Sequence, residues 1–134
     1  LPGIQALIGF QLIAVFNDGF QQLSPALQLT HLAATLLVAL AVLLIMTPAA
    51  YHRIAEQGQV SRRFTELASM FIAVAMLPFA LGMSLEISIV TNMVTDSTFA
   101  AAAAFIFAIV LSTSAWFVFP LLALRVRRAR EHGE

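Results

Sequence analysis

Between Pro25 and Pro48 the chain runs for 24 residues without an Asp, Glu, Lys or Arg. At about 1.5 Å per residue, a helix of this length reaches roughly 36 Å, which is enough to cross the hydrocarbon core of a bilayer. Lipid offers the backbone no hydrogen-bond partner, so helices are favoured over open strands in such a segment. The run therefore predicts a transmembrane helix.

Three further apolar runs complete the pattern. The four predicted helices cover about residues 3–18, 25–48, 64–90 and 98–124, and a basic tail follows at 125–134. Because the connections are short, consecutive helices must run in opposite directions. We expect an all-α fold, a single integral membrane bundle of four transmembrane helices in up-and-down order.

Composition agrees with the lipid setting. Hydrophobic residues make up 60% of the chain and charged residues 10%, whereas a soluble domain carries about 25% charged residues. A chain this short cannot cover so much apolar side chain in one aqueous core, because its surface is large relative to its volume. Cysteine is absent, which excludes disulfides, thiolate nucleophiles and cysteine metal sites.

Basic charge lies on one side of the predicted bundle. All seven basic side chains are arginines, namely Arg53, Arg62, Arg63, Arg125, Arg127, Arg128 and Arg130. They follow the second and fourth predicted helices, and the other two connections carry no Lys or Arg. The positive-inside rule then places residues 52–63 and the C-terminus in the cytoplasm.

Several side chains at this boundary are expected to contact lipid or a partner protein. They are Tyr51, His52, Arg53, Arg62, Arg63, Trp116, Arg125, Arg127 and Arg128. Aromatic rings anchor helices at the membrane interface, and arginines meet lipid phosphates there. His52 and Arg53 either bind a lipid phosphate or simply anchor the helix end. The tail resembles a nucleic-acid arm, but its place after a membrane span favours headgroups over nucleic acid.

Polar residues within the apolar runs are the remaining functional clues. His31 could ligate a metal or the magnesium of a pigment, or it could hydrogen-bond a neighbouring helix. Gln5 and Gln11 suit packing between helices, with a substrate path as the alternative. Ser112, Thr113 and Ser114 also suit packing between helices. Glu86 ends the first 20 residues counted from Leu67, so it is expected at the outer interface. A proton relay is the alternative, but no second buried carboxylate or base is evident to take the proton on.

Three segments of the sequence resemble those of a known family. They are "LPGIQALIGFQ" at the start, "TPAAYHRI" after the second run and "WFVFPLLAL" near the end. Together they are similar to an uncharacterised bacterial family of small four-helix membrane proteins with a P-x-A-Y-H-R segment. Pro48, Ala50, Tyr51, His52 and Arg53 match that segment. The resemblance implies a multi-pass protein of the bacterial inner membrane and implies no activity.

The catalytic motifs that the sequence lacks are the main constraint on its function. No nucleotide loop, serine-hydrolase elbow or H-E-x-x-H motif occurs, so we expect a non-enzyme. The first hypothesis is an accessory subunit of a larger membrane complex of respiratory or photosynthetic type. The second is a small transporter or channel subunit acting as an oligomer, which needs a polar stripe through several helices. Bound lipid is expected, a pigment on His31 stays open, and no metal or other cofactor is predicted.

Overall fold

The structure is a computed structural model that describes residues 2–55 and 61–131, except the side chains of residues 126, 127 and 129–131. Regular structure in these ranges is entirely helical, as predicted. The helices are α1 (Pro2–Ala14), α2 (Asp18–Gln21), α3 (Pro25–Ala55), α4 (Arg62–Thr95), α5 (Thr98–Thr113) and α6 (Phe119–Glu131), with a π-helical turn at Ser114–Val118. Three segments are long and apolar enough to span a membrane: Pro25–Ala55, Arg62–Thr95 and Thr98–Arg125.

The first helix is shorter than the sequence predicted. A span over 3–18 was expected, but the described α1 covers Pro2–Ala14 and ends four residues earlier. The chain turns after Ala14, and the Asn17 side chain caps α2 by accepting a hydrogen bond from the Gly19 amide at 3.3 Å. Local capping by Asn17 competes with continuation of the helix.

The central two helices are longer than predicted. α3 continues beyond Pro48 to Ala55, and α4 runs from Arg62 to Thr95 rather than over 64–90. Basic side chains are favourable in the last turn of a helix, which supports the extension of α3 through His52 and Arg53. The expected cytoplasmic loop over 52–63 is therefore helical at both ends, and residues 56–60 lie outside the described ranges.

α3 and α4 pack closely as antiparallel neighbours. Their contact is lined by small residues, and Ala34, Val38, Ala41 and Ala75 are fully buried. Gly82 of α4 lies against Ala34 and Val38, so the two backbones approach each other at this level. In lipid, close packing of small residues is a main source of helix association.

The last span packs on the other side of α4. The Trp116 ring stacks on Phe79 with centroids 5.9 Å apart and an angle of 17° between the planes. Pro120 cannot donate to the carbonyl of Trp116, and its ring crowds that carbonyl. The π-helical turn just before it accommodates this, with the Phe119 amide donating to the Ser114 carbonyl.

Gly82→Ala should destabilise the bundle. A Cβ at this position would lie 2.8 Å from Cγ2 of Val38 and 3.0 Å from the carbonyl oxygen of Ala34, so α3 and α4 must separate. Overpacking of this kind costs roughly 1–3 kcal/mol. Thermal unfolding in detergent should show a clearly lower midpoint for this variant.

Gly9→Ala is the matched control. A Cβ on Gly9 meets nothing within 4 Å, and alanine favours the helix by about 1 kcal/mol over glycine. Its unfolding midpoint should stay level or rise. Equal effects of the two substitutions would show that α3 and α4 do not make the close contact described.

Candidate functional site

Three helices each contribute one polar side chain to a single buried contact. Gln11 of α1 and His31 of α3 are 4% and 5% exposed, and the Glu86 side chain of α4 is 19% exposed. Nδ1 of His31 lies 2.9 Å from Oε1 of Glu86, and Nε2 of Gln11 donates to the same oxygen at 2.9 Å. Nε2 of His31 lies 3.0 Å from the Gln11 carbonyl oxygen. We call these three residues the polar cluster.

The packing of α3 on α4 explains why the cluster forms. His31 begins a buried series with Ala34, Thr35 and Val38, the spacing of one helix face. Gly82 meets Ala34, and Glu86 lies one turn beyond Gly82 on α4. Because the helices are antiparallel and close at Ala34, the next turn outward brings His31 within hydrogen-bond reach of Glu86.

The neighbours of His31 assign its hydrogen atoms. The Gln11 carbonyl can only accept, so Nε2 of His31 carries a hydrogen and donates to it. The 2.9 Å contact between Nδ1 and Oε1 of Glu86 then requires a second proton between those two atoms. That proton belongs either to an imidazolium donating to a carboxylate or to a carboxylic acid donating to an imidazole. Both assignments leave the His31–Glu86 pair with zero net charge.

Loss of this proton would change the cluster sharply. A lone pair on Nδ1 would then face a carboxylate oxygen at 2.9 Å, and the pair would carry one negative charge. An unpaired charge in a low-dielectric interior is strongly unfavourable. The distance between these two atoms therefore indicates that the pair holds one proton.

The cluster borders two cavities. One of about 170 Å³ is lined by His31 and Glu86 together with Asn17 and Phe20. The other is a groove of about 510 Å³ that also reaches His31 and includes Gln11. The Phe20 ring lies between them, edge-on to His31 at 5.1 Å. Both openings are at the end of the bundle that holds the α1–α2 connection.

Toward the arginine end of the bundle, where α3 ends and α4 begins, the cluster is not continued. The buried hydroxyls nearest to it donate within their own helices, Thr35 to the His31 carbonyl and Ser84 to the Ala80 carbonyl. Beyond them lie the fully buried side chains of Val38 and Ala41. Within the described ranges, the site is therefore closed by apolar packing on that side.

Glu86 has a partner that sequence reasoning did not find. It was expected at the outer interface with no base to share a proton, but Nδ1 of His31 lies 2.9 Å from its Oε1. The base was missed because sequence reasoning did not pair α3 with α4, and the depth of Glu86 in the membrane stays a prediction. The signal that could have found the contact is the small residue Gly82, one turn before Glu86.

His31 itself contacts neighbouring helices, which was one of its two predicted roles. Both ring nitrogens have partners, so a metal or pigment could be ligated only after one contact breaks. Within the described residues, no three His, Cys, Asp or Glu side chains are grouped to hold a metal ion. Pigment binding stays a prediction.

The predicted boundary residues lie away from the polar cluster. Tyr51, Arg53, Arg62, Arg63, Arg125 and Arg128 are exposed. His52 packs on the Phe64 ring at 4.8 Å, and Arg62 pairs with Glu66 at 4.0 Å on the surface. Trp116 is half-buried against Phe79, and the Arg127 side chain lies outside the described residues. Contact of this set with lipid or a partner stays a prediction.

The chain belongs to a family of unknown function, DUF6328, whose model matches residues 1–120. This confirms the resemblance to an uncharacterised family, and the match carries no detail about the P-x-A-Y-H-R segment. Neither the curated proteins nor the solved structures contain a match to this chain.

Proposed function

We propose that this member of the DUF6328 family is a small proton-coupled membrane transporter that acts as an oligomer. The observation that carries the proposal is the 2.9 Å contact between Nδ1 of His31 and Oε1 of Glu86, which lies between α3 and α4 beside a cavity. Ionisable residues within membrane helices are costly, and they commonly mark ion or substrate pathways. The cluster brings together polar side chains of three helices, which sequence reasoning had treated separately.

The cluster also offers a way to couple protonation to movement. Gln11 joins α1 to α3 through its carbonyl and to α4 through its amide. Loss of the shared proton turns the His31–Glu86 contact repulsive and so disturbs both polar links of α1. Release of α1 from the helix pair would widen the cavities at its end of the bundle.

The closed side of the site contains two prolines at which the helices could bend into a second conformation. Pro48 and Pro78 are buried within α3 and α4, between the polar cluster and the arginine end. A proline within a helix removes a backbone hydrogen bond and favours bending there. We propose that bending at these prolines exposes the cluster to the arginine end after the other end has closed.

A non-catalytic accessory subunit of a respiratory or photosynthetic type of complex is the second candidate. It is favoured by the last span, in which an apolar stretch of 18 residues is only 6% buried and which exposes Phe99 and Phe107. A neighbouring subunit could cover this surface, and so could lipid. A purified chain that moves a solute by itself would contradict this candidate.

Orientation is part of the proposal. Its support is the gathering of arginines at one end and the three spans that fit a membrane-spanning protein. We propose a bacterial cytoplasmic membrane, with the arginine end in the cytoplasm and the cavities facing outward.

Single-cysteine labelling tests this orientation, because the chain has no cysteine of its own. Gln21 lies four residues before the start of α3, Ala55 is the last residue of α3, and both are exposed, so Gln21→Cys and Ala55→Cys form a matched pair. In intact cells, a membrane-impermeant maleimide should label Gln21→Cys and leave Ala55→Cys unlabelled until lysis. The reverse pattern would contradict the assignment.

Proteoliposomes with an internal pH probe test the transport proposal. Some member of a panel of cationic, neutral and anionic solutes should drive proton movement in vesicles holding the wild-type protein. Glu86→Gln cannot release the shared proton, so coupled flux should fall by about 100-fold or more, as expected for loss of an essential proton carrier.

Glu66→Gln is the matched control for that experiment. It makes the same change in the same helix, but Glu66 is exposed and lies at the arginine end. Its flux should equal that of the wild type. Undiminished flux in Glu86→Gln, or no flux with any solute in the wild type, would contradict proton-coupled transport.

A further inference from the structure

We propose that the 170 Å³ cavity beside Glu86 binds a small protonated amine with an apolar body, in exchange for the proton of the polar cluster. The proposal rests on the transport function proposed above and names the solute class. The charge, the walls and the volume of the cavity support this solute class.

The charge of the cavity favours a cation. His31 and Glu86 are the ionisable residues among the cavity's described lining, so a site that has lost its proton carries one negative charge. Asn17 also lines the cavity, but its Oδ1 already accepts from the Gly19 amide. Oε1 of Gln11, which lines the neighbouring groove, is buried without a donor among the described residues. A cation suits the negative charge of the deprotonated pair, and an anion does not.

The exchange balances in protons and charge. An alkylammonium N–H donates to the Glu86 carboxylate and takes the place of the Nδ1–H donor, while the shared proton leaves to water. His31 is then neutral and keeps its Nε2–H on the Gln11 carbonyl. One positive charge enters and one leaves, so the occupied site is neutral before and after, and no covalent bond other than to hydrogen changes.

The walls and the volume define the body of the amine. Phe20, Leu23, Ile89 and Met93 give an apolar wall with an aromatic face and a thioether. Aromatic rings and methionine sulfur both favour organic cations with ring substituents. A dry cavity of about 150 Å³ in another protein accommodates benzene. One ring or a short alkyl chain on the amine therefore fits.

Calorimetry with benzylamine tests the site in detergent-solubilised protein, with benzyl alcohol as the uncharged analogue of the same shape. Titration in two buffers of different ionisation enthalpy counts the protons released. We expect about one proton released per amine, and affinity that falls about tenfold per unit of decreasing pH while the proton is bound. Benzyl alcohol should bind at least about tenfold more weakly.

Two variants test whether benzylamine binds in this cavity beside Glu86. Glu86→Gln should lower the affinity for benzylamine by about 100-fold, and Glu66→Gln should leave it unchanged. Thermal unfolding verifies that each variant is folded. Ala14→Leu adds bulk to the cavity wall at the end of α1 and leaves the polar cluster in place. It should also abolish binding. Benzylamine binding without proton release, equal binding of benzyl alcohol, or full binding by either Glu86→Gln or Ala14→Leu overturns the proposal.

The amine site and the transport function fail in different ways. Benzylamine binding with proton release but no flux in proteoliposomes supports the site and overturns transport. Proton-coupled flux of another solute, with no benzylamine binding, supports transport and overturns the amine site.

Discussion

The hydrogen bond between His31 and Glu86 is the contact on which the arrangement of the helices depends. A histidine and a glutamate are both expensive in lipid, but one shared proton makes the pair neutral. Gln11 then hydrogen-bonds both partners, and these contacts join the short α1 to the α3–α4 pair. A proton therefore belongs to the folded structure, and its loss would disturb the contacts of three helices together.

Close approach of α3 and α4 makes that hydrogen bond geometrically accessible. Ala34 and Gly82 bring the two backbones together one turn from the pair, and larger side chains there would move His31 away from Glu86. The same tight packing fills the bundle beyond Thr35 and Ser84 with apolar side chains. The site is consequently open at one end of the bundle and closed at the other, which is the asymmetry that a proton-coupled transporter needs.

Length and hydropathy were sufficient to predict the helical fold and the three long spans, because lipid leaves the backbone few alternatives. The end of α1 was not predictable from hydropathy, since Phe16 is as apolar as the helix before it and the Asn17 cap decides the break. The partner of Glu86 was missed because it is 55 residues away in sequence, and the close approach at Gly82 was not read as a pairing of α3 with α4. His31 was recognised as polar and buried, but its role follows from Glu86 and Gln11.

Nitrogen-15 NMR of the imidazole rings tests the shared proton most directly. The chain has three histidines, so His52→Gln and His132→Gln leave the His31 signals alone in the spectrum. In the folded protein, Nε2 should show the shift of a protonated nitrogen. Nδ1 should show a hydrogen-bonded or protonated shift that changes in Glu86→Gln and not in Glu66→Gln. A His31 ring with its proton on Nδ1 and a bare Nε2, or signals indifferent to Glu86→Gln, would contradict the account.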